Sequence, residues 1–399
     1  MQFPSFFRVL QNKEQLHKIF PLSLMISIYA FSLGLIYPIF SIYVNNITKD
    51  IFLTGIILSL WGLGGILFSI PSGFLVDSFS HKQVIRISLC IKLITLFAMT
   101  LISTFWSLFI IYFIYSVSAA IFWVAVWSYL FSNMSKKTAG EEFGFFSTFY
   151  DLAYTLSPFL TGFLSAILFF LPFYISCFLL SLAILVTLFF DGGAEKSKVQ
   201  KPLIPLIKKE VKMIIKNGNF VIPLLLFIIF SYASLNVVYS FLPIILESYN
   251  FSYVLIGVIV AISWLPSSLL EIPVGYIIDS FKKQWLIFLS VAVFSLSVLL
   301  MAFFKDFYSI FFIMIIIGFL NVIFMNIIHS IASIFLFDKE KGVFSGIMTF
   351  TKDIGNVLGP FLGGLSLKIF GIQITFLLLS VISLMLALPF FWLFSNNVD

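Results

Sequence analysis

Ile70-Pro71-Ser72-Gly73-Phe74-Leu75-Val76-Asp77-Ser78-Phe79 reappears as Ile272-Pro273-Val274-Gly275-Tyr276-Ile277-Ile278-Asp279-Ser280-Phe281, 202 positions further on. The same shift carries Asp151 to Asp353, Pro158-Phe159-Leu160 to Pro360-Phe361-Leu362, and Gly162 to Gly364. Two separate motifs that keep one offset point to a unit duplicated in parallel.

Around these motifs the chain is apolar. Of its 399 residues 61% are hydrophobic and 10% charged, with mean hydropathy +1.13. A soluble domain carries about 25% charged residues, so this chain cannot clothe itself in a water-facing surface and its solvent is mostly lipid. Crossing the hydrocarbon takes about 20 apolar residues in a helix. Such runs fall near 19–44, 51–76, 84–103, 105–132, 143–168 and 171–190, then near 219–246, 252–278, 284–303, 307–335, 343–368 and 371–395. They are too long and continuous for the alternating strands of a barrel, which leaves helices as the structure that satisfies the backbone in lipid. The expectation is an all-α integral membrane protein: twelve transmembrane helices in two six-helix repeats, over 1–190 and 219–399. The polar stretch 191–218, with seven Lys, reads as a cytoplasmic linker whose second part is amphipathic. The first run is too long for a cleavable signal and is expected to stay as a span.

Placing the N-terminus inside gives eighteen Lys and Arg on the cytoplasmic side against Lys49, Lys305 and Lys368 outside, so both termini are expected in the cytoplasm. The net charge of +6 lies in short gaps between spans and forms no basic face, which excludes nucleic acid as a partner. Cys90 and Cys177 sit inside apolar runs and read as free thiols rather than a disulfide framework.

Gly73-x-x-x-Asp77, between the second and third spans, resembles the signature G-x-x-x-D-R/K-x-G-R/K-R/K of the major facilitator superfamily, and Gly275-x-x-x-Asp279 resembles its second copy. Ser78 stands where the family usually has a cation, and the second glycine is absent. The resemblance covers nearly the whole length. It implies a secondary transporter that works by alternating access, with Gly73, Asp77, Gly275 and Asp279 forming a latch between its states. The glycines would allow close helix approach, and the aspartates would meet a neighbouring helix N-terminus; capping of a tight loop is the alternative role. Gly355-x-x-x-Gly359-Pro360 in the eleventh span looks like the glycine-proline motif of some antiporters, although the fifth span, its usual place, has only Ser157-Pro158-x-x-x-Gly162. The fourth span also lacks the arginine common in proton-driven drug exporters.

Ionisable groups inside a span are costly and read as functional candidates. Lys92 lies near the Arg86 end of its span and is expected to snorkel. Asp151 and Glu271 fall at similar depth from the cytoplasmic side, on spans that the resemblance makes neighbours, where they could share a proton; local satisfaction by hydroxyls or a cation is the alternative. Lys352 and Asp353 point about 100° apart on one helix, so one of them faces the cavity and the other the second span. These four, Asp151, Glu271, Lys352 and Asp353, are the candidates for proton coupling. The resemblance places the solute cavity along spans 1, 4, 7 and 10. On those spans Trp123 and Trp127, then Tyr232, Asn236 and Tyr239, then Asn326 and His329 fall on helical stripes, and the 202 shift relates Trp127 to His329.

Together these features predict a transporter for a small, weakly charged or amphipathic organic solute, monomeric, in the cell membrane, with proton coupling left open and no cofactor or metal. A proton-coupled antiporter exporting hydrophobic compounds is the alternative within transport. A non-transporting sensor or membrane-embedded enzyme is the alternative outside it, and the scatter of His17, His81 and His329 argues against an enzyme.

Overall fold

The computed structural model describes residues 13–134, 139–190, 218–335 and 341–395. All regular structure among them is helical: α1 (Lys13–Thr48), α2 (Ile51–Ser78), α3 (His81–Met99), α4 (Phe105–Asn133), α5 (Ala139–Ile167), α6 (Leu171–Val186, extended by a 3-10 turn at Thr187–Phe189), α7 (Gly218–Ser248), α8 (Tyr253–Ser280), α9 (Lys283–Phe303) and α10 (Phe307–Phe335). The last helical stretch, Lys341–Ser395, is interrupted at Gly371, whose φ of 74° is open to glycine and strained for other residues. It therefore forms two helices, α11 over residues 341–370 and α12 over residues 372–395. The apolar runs and the helices agree to within a few residues. The stretch read as a linker lies outside the described residues apart from Gly218.

Nine stretches among the described residues are long and apolar enough to cross a membrane by length and composition, the last of them spanning both α11 and α12. The two helices outside that set are the more polar ones. α3 carries Lys82, Arg86 and Lys92, and α5 carries Asp151 among Ser, Thr and Tyr. Large apolar side chains such as Ile167 and Trp106 stand 78% and 71% exposed. An outer surface of that kind is stable against acyl chains and not against water. Prolines inside α1, α2, α5, α7, α8 and the last stretch leave the helices continuous, as neighbouring helices in a membrane allow.

The described residues fall into two compact units that are not the two halves of the sequence. One takes Met1–Phe40, Gly64–Gln200 and Ser252–Ala261; the other takes Ser41–Leu63, Lys201–Phe251 and Ile262–Asp399, each as far as those stretches are described. Each unit thus contains a seam between helices from opposite halves. In one, a Cβ on Gly257 of α8 would lie 2.6 Å from the Pro158 carbonyl oxygen and 3.1 Å from Gly162 Cα of α5. In the other, a Cβ on Gly55 of α2 would collide with the Pro360 carbonyl oxygen and lie 3.1 Å from Gly364 Cα of α11. The 202 shift turns one seam into the other: Gly55 into Gly257, Pro158 into Pro360, Gly162 into Gly364.

The turns leading into these seams also repeat. Just past the ends of α1 and α7, Lys49 and Asn250 have φ of 51° and 62°, the left-handed conformation that closes a helix C-terminus. The next helix is then capped from the following side chain. Asp50 Oδ1 accepts the Phe52 and Leu53 N–H groups, and Ser252 Oγ accepts the Leu255 N–H. The two copies differ in one charge pair. Asp50 also binds the Lys368 ammonium at the end of α11, and that cation holds the Asp50 carboxyl below its usual range. The 202 shift maps this pair onto Ala166 and Ser252, which carry no charge.

Gly73 and Gly275 behave differently from the seam glycines. A Cβ at either would meet nothing within 4 Å, so in this conformation neither lets a second helix approach, contrary to the expectation of close contact. Valine at Gly55 or Gly257 is expected to destabilise the protein by about 1–3 kcal/mol through overpacking. Alanine at Gly73 or Gly275 is expected to stabilise this conformation by roughly 0.5–1 kcal/mol. Thermal unfolding in detergent checks both signs, and equal effects at the two kinds of position would contradict the packing described.

Candidate functional site

The polar groups of the second unit converge where α7, α10 and α11 meet. Two glycines one turn apart bring α11 onto α7. A Cβ at Gly355 would lie 2.6 Å from Tyr232 Cβ, and one at Gly359 would lie 2.6 Å from the Ala233 carbonyl oxygen and 2.8 Å from Asn236 Cβ. That approach allows a chain of hydrogen bonds. Asn236 Nδ2 donates to the Tyr232 carbonyl at 2.8 Å and to Asn356 Oδ1 at 3.0 Å, and Asn356 Nδ2 donates to Asp353 Oδ1 at 3.2 Å. Tyr232 Oη donates to Met325 Sδ of α10 at 2.9 Å. The Lys352 ammonium lies 5.3 Å from the centroid of the Tyr232 ring.

α2 closes the other side of this network. A Cβ at Gly62 would lie 2.6 Å from the Asp353 carbonyl oxygen and 2.8 Å from Asn356 Cβ. Lys352 and Asp353 therefore divide their roles. Asp353 is half-buried beside α2 and tied to Asn356, while Lys352 is exposed above Tyr232. His329 of α10 is likewise exposed. Asn326 turns back on its own helix, donating to the Val322 carbonyl at 3.1 Å, and Tyr239 is buried, stacked on Trp264 at 5.2 Å between centroids. Asn356, buried at the centre of the network, was not singled out from the sequence. Its position three residues after Asp353, between Gly355 and Gly359, was the available signal.

The first unit is aromatic where the second is polar. Trp123 and Trp127 stack at 5.7 Å, Trp127 stacks further on Phe131 and Phe143, and Trp123 meets Tyr29 and Tyr150 edge-on at 6.0 and 5.4 Å. Lys92 does not snorkel. It is fully buried, its ammonium 4.0 Å from the Tyr115 ring centroid and 5.1 Å from that of Tyr29, where rings from α1 and α4 take the place of water. Asp151 is half-buried beside Tyr150, and Glu271, in the other unit, is exposed.

At the end of α2, Asp77 is exposed and accepts no hydrogen bond among the described residues; the side chain of Asp279 lies outside them. His81, four residues after Asp77, shares a 2.7 Å hydrogen bond between Nε2 and Ser128 Oγ and packs edge-on to Tyr129. Burial holds its imidazole below the ordinary range, against the opposing pull of Asp77.

Two repeat-related seams and a polar cluster thus lie among apolar helices. The sequence profile of the Major Facilitator Superfamily matches residues 22–335 and again 224–398, with starting points 202 positions apart, as the duplication requires. The chain belongs to that superfamily and is a multi-pass integral membrane protein. Among solved structures it is similar to the nucleoside transporter NupG, at 19% identity and TM-score 0.79 over 94% of this chain and 98% of that one. A bacterial homologue of the human lysosomal transporter Spinster, in an inward-facing and unoccupied conformation, gives 14% and 0.75 over 96% and 98%. A POT family transporter in complex with 5-aminolevulinic acid gives 12% and 0.78 over 96% of each chain. No curated protein matches this sequence significantly.

Removing the central amide tests the network. Asn356→Ala leaves the Asn236 amide and the Asp353 carboxylate without their shared partner, at a cost of about 1–3 kcal/mol. The melting temperature of the purified protein is expected to fall accordingly, and Asn356→Asp is expected to be worse because it sets a second carboxyl against Asp353. Wild-type melting in both variants would remove the network from the structure's support.

Proposed function

We propose that this protein is a secondary active transporter of the cell membrane that moves a small organic solute by alternating access between its two six-helix repeats, with both termini in the cytoplasm. Membership of the superfamily supports transport of a small molecule. The observation that carries the finer reading is the cluster of Tyr232, Asn236, His329, Lys352, Asp353 and Asn356, polar groups gathered inside an apolar protein where they have no role in folding a soluble core. In this reading Trp123, Trp127, Tyr232, Asn236, Tyr239, Asn326 and His329 serve the solute. The likenesses are to a nucleoside transporter and to a POT family transporter in complex with 5-aminolevulinic acid, and a small organic solute with polar groups suits aromatic, amide and imidazole neighbours.

Asp77 and Asp279 are proposed as latch residues that engage in another conformation of the transport cycle, consistent with the free space at Gly73 and Gly275. Asp77→Asn and Asp279→Asn are each expected to shift the balance of states while the melting temperature stays near wild type. Spin-label distances across the α2–α3 and α8–α9 turns measure that balance, and unchanged distributions in both variants would leave loop capping as the role.

Proton coupling is proposed through Asp151, Glu271, Lys352 and Asp353. In vesicles presented with a solute panel, a pH gradient is expected to drive accumulation, and Glu271→Gln or Asp151→Asn to abolish that uphill movement while downhill exchange continues. Simultaneous loss of both activities would assign these carboxyls to structure, and uptake indifferent to the gradient would rule out coupling.

A further inference from the structure

We infer that the solute carries an anionic group, a carboxylate or phosphate, and that the Lys352 ammonium of α11 is the residue that holds it. This rests on the transporter reading above and names the chemical class that the same site would take.

The geometry of Lys352 is the reason. It stands nine residues into the apolar run that begins near 343, or roughly 13 Å along the helix. A lysine at that depth that served only to be tolerated would reach back to the interface. Lys352 instead reaches across to α7, with its ammonium over the ring of Tyr232, whose own Cβ packs at the level of Gly355, nearly a turn deeper in α11. A ring satisfies one face of an ammonium and leaves its N–H donors pointing elsewhere.

Among the described residues no carboxylate forms an ion pair with that ammonium at contact distance. Asp353 is the adjacent residue, about 100° away around the helix, and its carboxylate accepts from Asn356 in the network that runs to Asn236. Among the described residues Lys352 makes no hydrogen bond and no ion pair, and the residue is exposed. Lys92 shows the contrast: it too sits over tyrosine rings, yet it is wholly enclosed and no solute could touch it in this conformation. An exposed ammonium with an aromatic floor and no ion pair among the described residues, inside a membrane protein, is half of an ion pair. An anion brought by the solute supplies the other half, in surroundings where a charge-assisted bond is strong. A neutral solute would leave the charge as costly as before.

The test is binding by matched pairs of probes. Thermal unfolding of the detergent-purified protein is followed with benzoate against benzamide, indole-3-acetate against indole-3-acetamide, and phenyl phosphate against phenol. The anion of at least one pair is expected to stabilise the protein in a dose-dependent way at concentrations where its neutral partner does not. Lys352→Gln is expected to weaken that anion by roughly tenfold or more, and Lys352→Arg to keep it within a few-fold. Neutral partners that bind as well as the anions, a panel in which no anion binds better than its partner, or an anion held by Lys352→Gln as by wild type would each overturn the inference. Should Lys352→Gln fail to fold, the anion-against-neutral comparison on the unaltered protein decides. In proteoliposomes the two readings separate: uptake of a neutral probe unaffected by Lys352→Gln keeps the transporter and removes the anion, whereas an anion that binds through Lys352 yet is never carried keeps the site and counts against transport.

Discussion

Helices in a bilayer gain little from hiding apolar surface against one another, because the acyl chains are as apolar as they are. What remains is close contact between backbones, and this protein obtains it where Gly55 meets the Pro360 carbonyl and where Gly257 meets the Pro158 carbonyl. The rest of the second unit depends on the first of these contacts. With α2 drawn onto α11 at Gly55 and Gly364, Gly62 comes against Asp353 and Asn356. Gly355 and Gly359 then carry the opposite face of α11 onto α7, within reach of Asn236. The polar cluster is thus a product of small residues as much as of the polar ones: larger side chains at Gly355 and Gly359 would part the two amides that join the network.

The frame was legible because duplication writes itself into spacing. A single offset of 202 located the repeat, and it recurs in the seams and in the family matches, with the left-handed turns at Lys49 and Asn250 one residue short of it. Which glycines carry contact was not legible, since a sequence does not say which face of a helix is covered. Gly73 and Gly275, inside the most visible motif, have open space, while Gly257, which attracted no notice, supports a seam. Lys92 was misjudged for a related reason. The rings that enclose it belong to Tyr29 on α1 and Tyr115 on α4, and nothing within α3 itself announces them. Asn356 was overlooked because an amide gains meaning only from its partner, here an amide 120 residues away.

The two copies kept their scaffold and parted in their chemistry. Where the shift pairs Trp127 with His329, one side offers a stacked indole and the other an accessible imidazole. Lys352 likewise has Tyr150 as its counterpart, an ammonium above one ring on one side and a ring edge-on to Trp123 on the other. A duplicated bundle can bind an asymmetric molecule only if its halves cease to be alike, and the divergence of Trp127 from His329 falls on spans that the resemblance assigned to a cavity, while the glycines and prolines of the seams are retained.

The same loss of symmetry reaches the ends of the seams. Asp50 and Lys368 tie α2 to α11 with their side chains 26% and 50% exposed, and the corresponding Ser252 and Ala166 offer nothing of the kind to α5 and α8. Dissolved ions weaken attraction between charges in contact with water, over a Debye length of about 8 Å at physiological ionic strength, and leave van der Waals contact between uncharged backbones unchanged. Salt on that face of the membrane therefore loosens one edge of a duplicated structure and not its twin, giving a nearly symmetric machine a handed sensitivity to the electrolyte around it.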